Sequence, residues 1–240
     1  MKYFLIVVAL LAISCNINIR NNDRVDGNGV MKKETRDVSD FKKVEVAGPF
    51  DVVLVQGNSF KIEIEADENL MQYIRVKKNE GRLEISEKEG YELRSKSGIK
   101  IRLQMPVVDE VTLEGSGSVR GETKLENSDN IEIKIAGSGD ISLEIKSPAV
   151  DVEIGGSGRA TLSGSTRKLD ISIGGSGDCL ADDLLSEDCE VSIGGSGTAR
   201  VFASVSLNVS VGGSGDVYYR GEPKNVKKSI GGSGSVQQVK

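Results

Sequence analysis

Apolar residues recur at every second position in short runs along most of the chain. From residue 111 these runs come in pairs around one word, Gly-Ser-Gly. Before it lie "IEIKIA", "VDVEIG", "LDISIG", "CEVSIG" and "LNVSVG"; after it lie "DISLEI", "RATLSG", "DCLADD", "TARVFA" and "DVYYRG". A period of two is the strand period. Isoleucine and valine dominate, as a half-buried pleated surface prefers. Polar stretches such as "STRK" and "EPKN" close the units, leaving no room for a helix. The first Gly of each GSG falls at 115, 137, 156, 175, 195, 213 and 232. A recurrence near twenty residues marks a repeat architecture, in which each unit needs its neighbours to complete a core.

Aligning the units gives columns. One inward column reads Ile133, Val152, Ile171, Val191, Val209; the next reads Ile135, Ile154, Ile173, Ile193, Val211, Ile230. After the GSG the column is Val119, Ile141, Ala160, Cys179, Ala199, Val217, Val236, and Cys189 aligns with Val150, Leu169 and Leu207. Both cysteines thus occupy apolar columns and read as buried thiols. Two all-β architectures fit. In a parallel β-helix with coils of about 19 residues, like residues touch between coils about 4.8 Å apart. In an antiparallel β meander they lie two strands apart. Columns of like residues favour the β-helix. Its GSG words are then corners, where glycine is expected to supply a positive φ and the serines a hydroxyl ladder. Asp151, Asp170 and Glu190 stack like charges and stand against it. Lys228 replaces the apolar residue of its inward column, as a terminal coil allows.

Residues 37–110 are also strand-like, with "ENLMQYIRV" as one short helical turn, and form an N-terminal β-region made of first coils or of a cap. Residues 111–240 hold the repeat coils. The N-terminus, "MKYFLIVVALLAISCNINIR", has a charged start, an apolar run too short to span a bilayer and a small-residue end, which is a signal peptide. The cysteine after Ser14 makes it a lipoprotein signal over residues 1–14, with an imperfect lipobox at Leu11–Cys15. Cys15 is the expected lipid attachment site. Residues 15–36 are polar, without lasting period, and read as the lipidated N-terminus and a flexible tether.

Composition narrows the chemistry. The chain of 240 residues carries a formal charge of −5 and no histidine. The charge argues against nucleic acid, which needs clustered Lys and Arg. The missing histidine removes the commonest general base and a leading metal ligand. GGSG lacks the Lys-Ser/Thr and the helix of a phosphate loop. Asp140, Asp178 and Asp216 follow the GSG as in a calcium repeat, but Arg159 and Thr198 interrupt them and the period is wrong. Asp182, Asp183, Glu187 and Asp188, with Arg159 or Arg200 nearby, could serve a polysaccharide lyase but read as a solvated loop. Of the aromatics, Phe202 and Tyr218 offer a sugar platform, with Tyr219 turned inward. No catalytic, cofactor-binding or metal-binding residue is assigned.

"FKKVEVAGPFDVVLVQGNSFKIEIEADENLMQYIRVKKNEGRLEIS", followed by GSG units, resembles the auto-transporter adhesin head GIN domain family, common among Bacteroidetes lipoproteins. The resemblance covers about residues 38–235, within an expected GIN-type domain at 37–240. It implies a right-handed single-stranded β-helix of the pectin-lyase-like class, an outer-membrane lipoprotein in the cell envelope, and adhesion without established catalytic residues. The expected protein is a non-enzymatic adhesion or envelope-binding module, with the membrane as partner through its lipid and a glycan or envelope protein as candidate ligand. The alternatives are a polysaccharide-cleaving β-helix enzyme and a purely structural envelope protein.

Overall fold

Alternation along each segment puts one row of side chains inward, and the repeat stacks these rows. The computed structural model describes residues 22–240; the expected signal peptide and Cys15 lie outside the described residues. Val150 lies beside Leu169, Leu169 beside Cys189 and Cys189 beside Leu207, all in parallel register. On the other side of the corner Val119, Ile141, Ala160, Cys179, Ala199, Val217 and Val236 follow one another in the same way. A meander would pair successive segments antiparallel. The fold is therefore a stacked parallel β-solenoid, preceded by N-terminal strands.

The inward columns are the core. Ile133, Ile154, Leu169 and Val191 are fully buried, and a side chain of this size stabilises by about 1.5–3 kcal/mol when removed from water. Ala160, Cys179 and Ala199 keep the post-corner column narrow between Ile141 and Val217. Cys179 and Cys189 are free buried thiols. Burial pushes the Cys179 thiol up to about 12 and that of Cys189 up as well, so neither forms thiolate at neutral pH.

The polar stretches expected as loops are mostly strand. Asp140–Ile154, Arg159–Ile173 and Asp178–Ile193 each run unbroken past a further corner. Small hydroxyl residues turn inward there. Ser147, Thr166 and Ser186 are buried one above the other. Ser147 Oγ donates to the Asp129 carbonyl (3.2 Å) and Thr166 Oγ1 to that of Lys168 (3.0 Å), while Ser186 Oγ donates to that of Phe202. Each buried hydroxyl is thereby itself satisfied by a backbone carbonyl.

The first coils do not stack in chain order. Lys43–Ala47 lies between Arg82–Ser86 and Glu110–Glu114, and Phe50–Gln56 lies between Ile99–Met105 and Ser118–Gly121. The later segment is thus the outer one. Antiparallel strands continue both walls beyond it. Ile74–Asn79 pairs with Arg82–Glu87 through a turn at Glu80 and Gly81, both at positive φ, as a tight hairpin needs. Lys61–Asp67 pairs with Ile99–Met105, and Met31–Arg36 pairs with Lys61–Asp67. The expected helical turn is a 3-10 helix at Glu68–Tyr73. The N-terminal region is both first coils and cap.

Part of the stretch expected as a tether is structured. Asp23–Asp26 pairs with Tyr91–Arg94 and Met31–Arg36 joins the cap. Polar contacts replace apolar burial here. The buried Asp67 carboxylate accepts from Gly29 N–H and Ser95 Oγ, both at 2.5 Å. Asn69 accepts from Asn28 N–H and donates to the Asp26 carbonyl, both at 2.9 Å. Gly27 passes so near Asp67 that a Cβ there would lie 2.4 Å from its carboxyl carbon.

Candidate binding surface

The outward face of the wall before the corner carries five carboxylates in consecutive register: Glu110, Glu132, Asp151, Asp170 and Glu190. Like charges one rung apart repel, and lateral partners offset this. Glu132 pairs with Lys134 (2.8 Å), Asp170 with Lys168 (2.7 Å), and Asp151 accepts from Asn130 (2.8 Å). Glu110 is the most enclosed and contacts Arg82 (2.9 Å), Lys43 (3.2 Å) and Lys134 (3.9 Å). Burial alone would raise its pKa. The Lys43 and Thr112 hydrogen bonds and the charges of Arg82 and Lys134 outweigh that and hold it below the usual range.

The wall after the corner solves the same problem by alternation. Its outward column runs Asp51, Ser118, Asp140, Arg159, Asp178, Thr198, Asp216, Ser235. Every aspartate is separated from the next by a hydroxyl or an arginine. Arg159 pairs with Asp178 (3.1 Å), Ser118 Oγ donates to Asp51 (2.8 Å) and Ser235 Oγ to Asp216 (2.7 Å). Aspartates two rungs apart are too distant to share a calcium ion, whose oxygen ligands lie about 2.3–2.6 Å away.

The acidic segment is divided among separate partners. Asp182 pairs with Arg200 (3.3 Å), Asp183 with Arg220 (3.4 Å), and Asp188 accepts from Ser206 Oγ (2.6 Å). Glu187 faces a different feature. It closes a cleft of about 620 Å³ outside the corner of buried hydroxyls, where Glu126, then Lys146 and Pro148, then Arg167 come from three successive coils. Lys146 reaches Glu126 at 3.9 Å, and Arg167 has no ion-pair partner among the described residues. Tyr219 is inward, under the Lys228 ammonium at 5.0 Å, while Tyr218 is half-exposed beneath the Arg200 guanidinium at 5.9 Å.

The GSG corners differ from the expectation. Of their seven leading glycines only Gly115 has a positive φ. Glycine is needed for close approach instead. A Cβ on Gly175 would lie 2.2 Å from the Gly156 carbonyl oxygen, and one on Gly195 2.0 Å from that of Gly175. Those carbonyls accept from Ser176 and Ser196 N–H at 3.0 Å. The rungs are therefore bound by backbone. The expected hydroxyl ladder does not form: Ser157 and Ser176 stack in line but are exposed, with no hydrogen bond from either hydroxyl.

Residues 40–223 match the family model described as "Putative auto-transporter adhesin, head GIN domain". The chain belongs to this family. The fold of this GIN domain is also that of several crystal structures. One, described as a putative adhesin from Bacteroides fragilis, is 22% identical with a TM-score of 0.85, covering 90% of this chain and 100% of its own. A putative lipid binding protein from Parabacteroides distasonis is 28% identical with a TM-score of 0.74, covering 91% and 100%. A putative adhesin from Parabacteroides merdae is 24% identical with a TM-score of 0.69, covering 91% and 100%. No curated protein sequence matches the chain.

The corner cleft of this GIN domain had one trace in the sequence. Ser147, Thr166 and Ser186 each precede an inward apolar residue by three, namely Val150, Leu169 and Cys189. Such a column of hydroxyls in an inward phase marks a second corner, although not the side chains that gather outside it.

Proposed function

We propose that this GIN domain is the rigid head of a membrane-anchored, non-enzymatic adhesion or envelope-binding module, and that it holds its ligand along the corner cleft. The carrying observation is the cleft itself. It crosses several coils and presents Lys146, Arg167, Glu126 and Glu187, with the exposed Ser128 and Ser165 among them. Rungs about 4.8 Å apart suit an extended, hydroxyl-rich or charged chain, such as a glycan or a segment of an envelope protein. The open cleft does not enclose a small substrate. The acidic segment that a lyase would draw on is divided outside the cleft, with Asp182, Asp183 and Asp188 engaged by Arg200, Arg220 and Ser206. Anchoring rests on the apolar run ending in Ser14-Cys15.

Both halves of the proposal are open to test. Glycan and envelope-protein arrays probed with residues 22–240 are expected to yield a ligand. Its binding should fall at least tenfold in Lys146→Ala/Arg167→Ala, with an unchanged circular dichroism spectrum. No ligand, or binding untouched by the double substitution, removes the cleft assignment. Cys15→Ala is expected to shift the protein from the membrane fraction to the soluble one; unchanged fractionation and mass would rule out the lipid.

A further inference from the structure

We infer that the N-terminal end of the solenoid is a lipid-facing surface, with Val30 and Met31 seated at the headgroup boundary of the membrane. The inference rests on the anchoring proposed through Cys15. Val30 is 55% exposed and Met31 39%. Val226 and Ile230 are exposed for a reason internal to the fold, since they continue the inward columns of Leu207 and Val211 onto the last rung. Val30 and Met31 continue no inward column. Met31 begins the outermost strand of the cap, opposite Asp67.

The same end of the fold carries basic and aromatic residues. Lys32 and Lys33 follow directly. Lys33 pairs with Glu65 (3.1 Å), and Lys32 has no ion-pair partner among the described residues. The first strand lies along Tyr91, with Asp23 N–H donating to the Gly90 carbonyl at 2.8 Å. Tyr91 packs on Tyr73 with ring centroids 4.6 Å apart, and the Lys88 ammonium lies 5.5 and 5.8 Å from the two rings. Tyrosine and lysine settle where headgroups meet water, with apolar bodies inward and polar tips outward.

Reach and charge choose the occupant. Six residues lie between Cys15 and Asn22, and the seven extended steps from one to the other span at most about 25 Å. The first strand therefore cannot leave the neighbourhood of an acylated Cys15. Residues 22–105 hold 16 Lys and Arg against 16 Asp and Glu, whereas residues 106–222 hold 9 against 20. An anionic bilayer surface repels the acidic middle, so the domain stands end-on; residues 223–240 hold four Lys and no Asp or Glu, but they form the far end of the stack, and the reach of the anchor selects the balanced N-terminal end. Another protein strand is a poorer occupant, because the lysines beside the edge oppose strand addition.

The test uses the full lipidated chain in phosphatidylcholine vesicles containing phosphatidylglycerol. New thiols are placed by Val30→Cys, Leu185→Cys or Val226→Cys and labelled with an environment-sensitive dye. Cys179 and Cys189 are buried and an acylated Cys15 is blocked, so the dye reports the new site. With spin-labelled lipid, the dye at position 30 is expected to shift blue and to be quenched at least twofold, with positions 185 and 226 unaffected. Flotation with vesicles but no more quenching at 30 than at 185 overturns this inference and leaves the anchoring intact. Failure of the lipidated chain to float overturns both.

Discussion

Gly175→Ala is expected to lower the unfolding free energy by about 3 kcal/mol, from overpacking and a disturbed buried hydrogen bond, while its neighbour Gly174→Ala leaves the urea midpoint unchanged or slightly raised. The two glycines are adjacent and look alike in the repeat. Only one faces the previous rung. A Cβ on Gly174 meets nothing within 4 Å, whereas one on Gly175 would lie 2.2 Å from the Gly156 carbonyl oxygen and 3.0 Å from its carbon. The methyl group must push the rungs apart, and Ser176 N–H loses its partner. At Gly174, φ is not positive, so alanine costs no strain and removes freedom from the unfolded chain. Gly232→Ala meets the same obstacle, 2.0 Å from the Gly213 carbonyl oxygen. It should be milder than Gly175→Ala, because only the last coil is displaced. Urea melts of the three variants decide the point. Equal effects at 174 and 175 would mean that the glycine serves conformation and not contact.

That pair shows how far the sequence is legible. Two periods project onto the chain, a two-residue one from the pleat and one near 19 from the coil. Together they place Ile154, Ile173 and Ile193 on one inward line without a structure. The corner position of GSG follows from the same reading. Its physics does not, because a glycine at positive φ and a glycine under a carbonyl leave the same letter. Stacking order is hidden for a similar reason. Nothing in the spacing of "VEVAG" and "LEISE" says that the second lies outside the first, since both alternate with the same period. The segment 23–36 has no hydrophobic period because the Asp67 carboxylate and the Asn69 amide hold it. The corner cleft is assembled from residues about one coil apart, so no local motif announces it.

Glu110→Ala is expected to cost about 2 kcal/mol, the second largest effect. Its carboxylate is 3% exposed and is the point where the out-of-order coils meet the regular stack. Arg82 reaches it from the outermost coil, Lys43 from the next and Lys134 from the far side. Removing one partner of a buried pair costs about 3–5 kcal/mol, but Arg82 and Lys43 are 31% and 45% exposed and regain water. The lower figure is therefore appropriate. Glu110→Gln keeps the shape and loses the charge, so it should fall between wild type and alanine. Its pH dependence isolates the electrostatic part. The folded pKa of Glu110 lies below its ordinary 4.5, so the unfolded chain takes up the proton first as pH falls. The carboxylate's contribution is thus complete well above 4.5 and is lost as pH drops through the lowered folded value. Urea melts should show the full advantage of wild type over Glu110→Gln at pH 7 and a shrinking one below about 4.5. An advantage that stays constant from pH 7 to pH 3 would show that Glu110 acts by shape alone, and that the order of the first coils is set by their apolar faces.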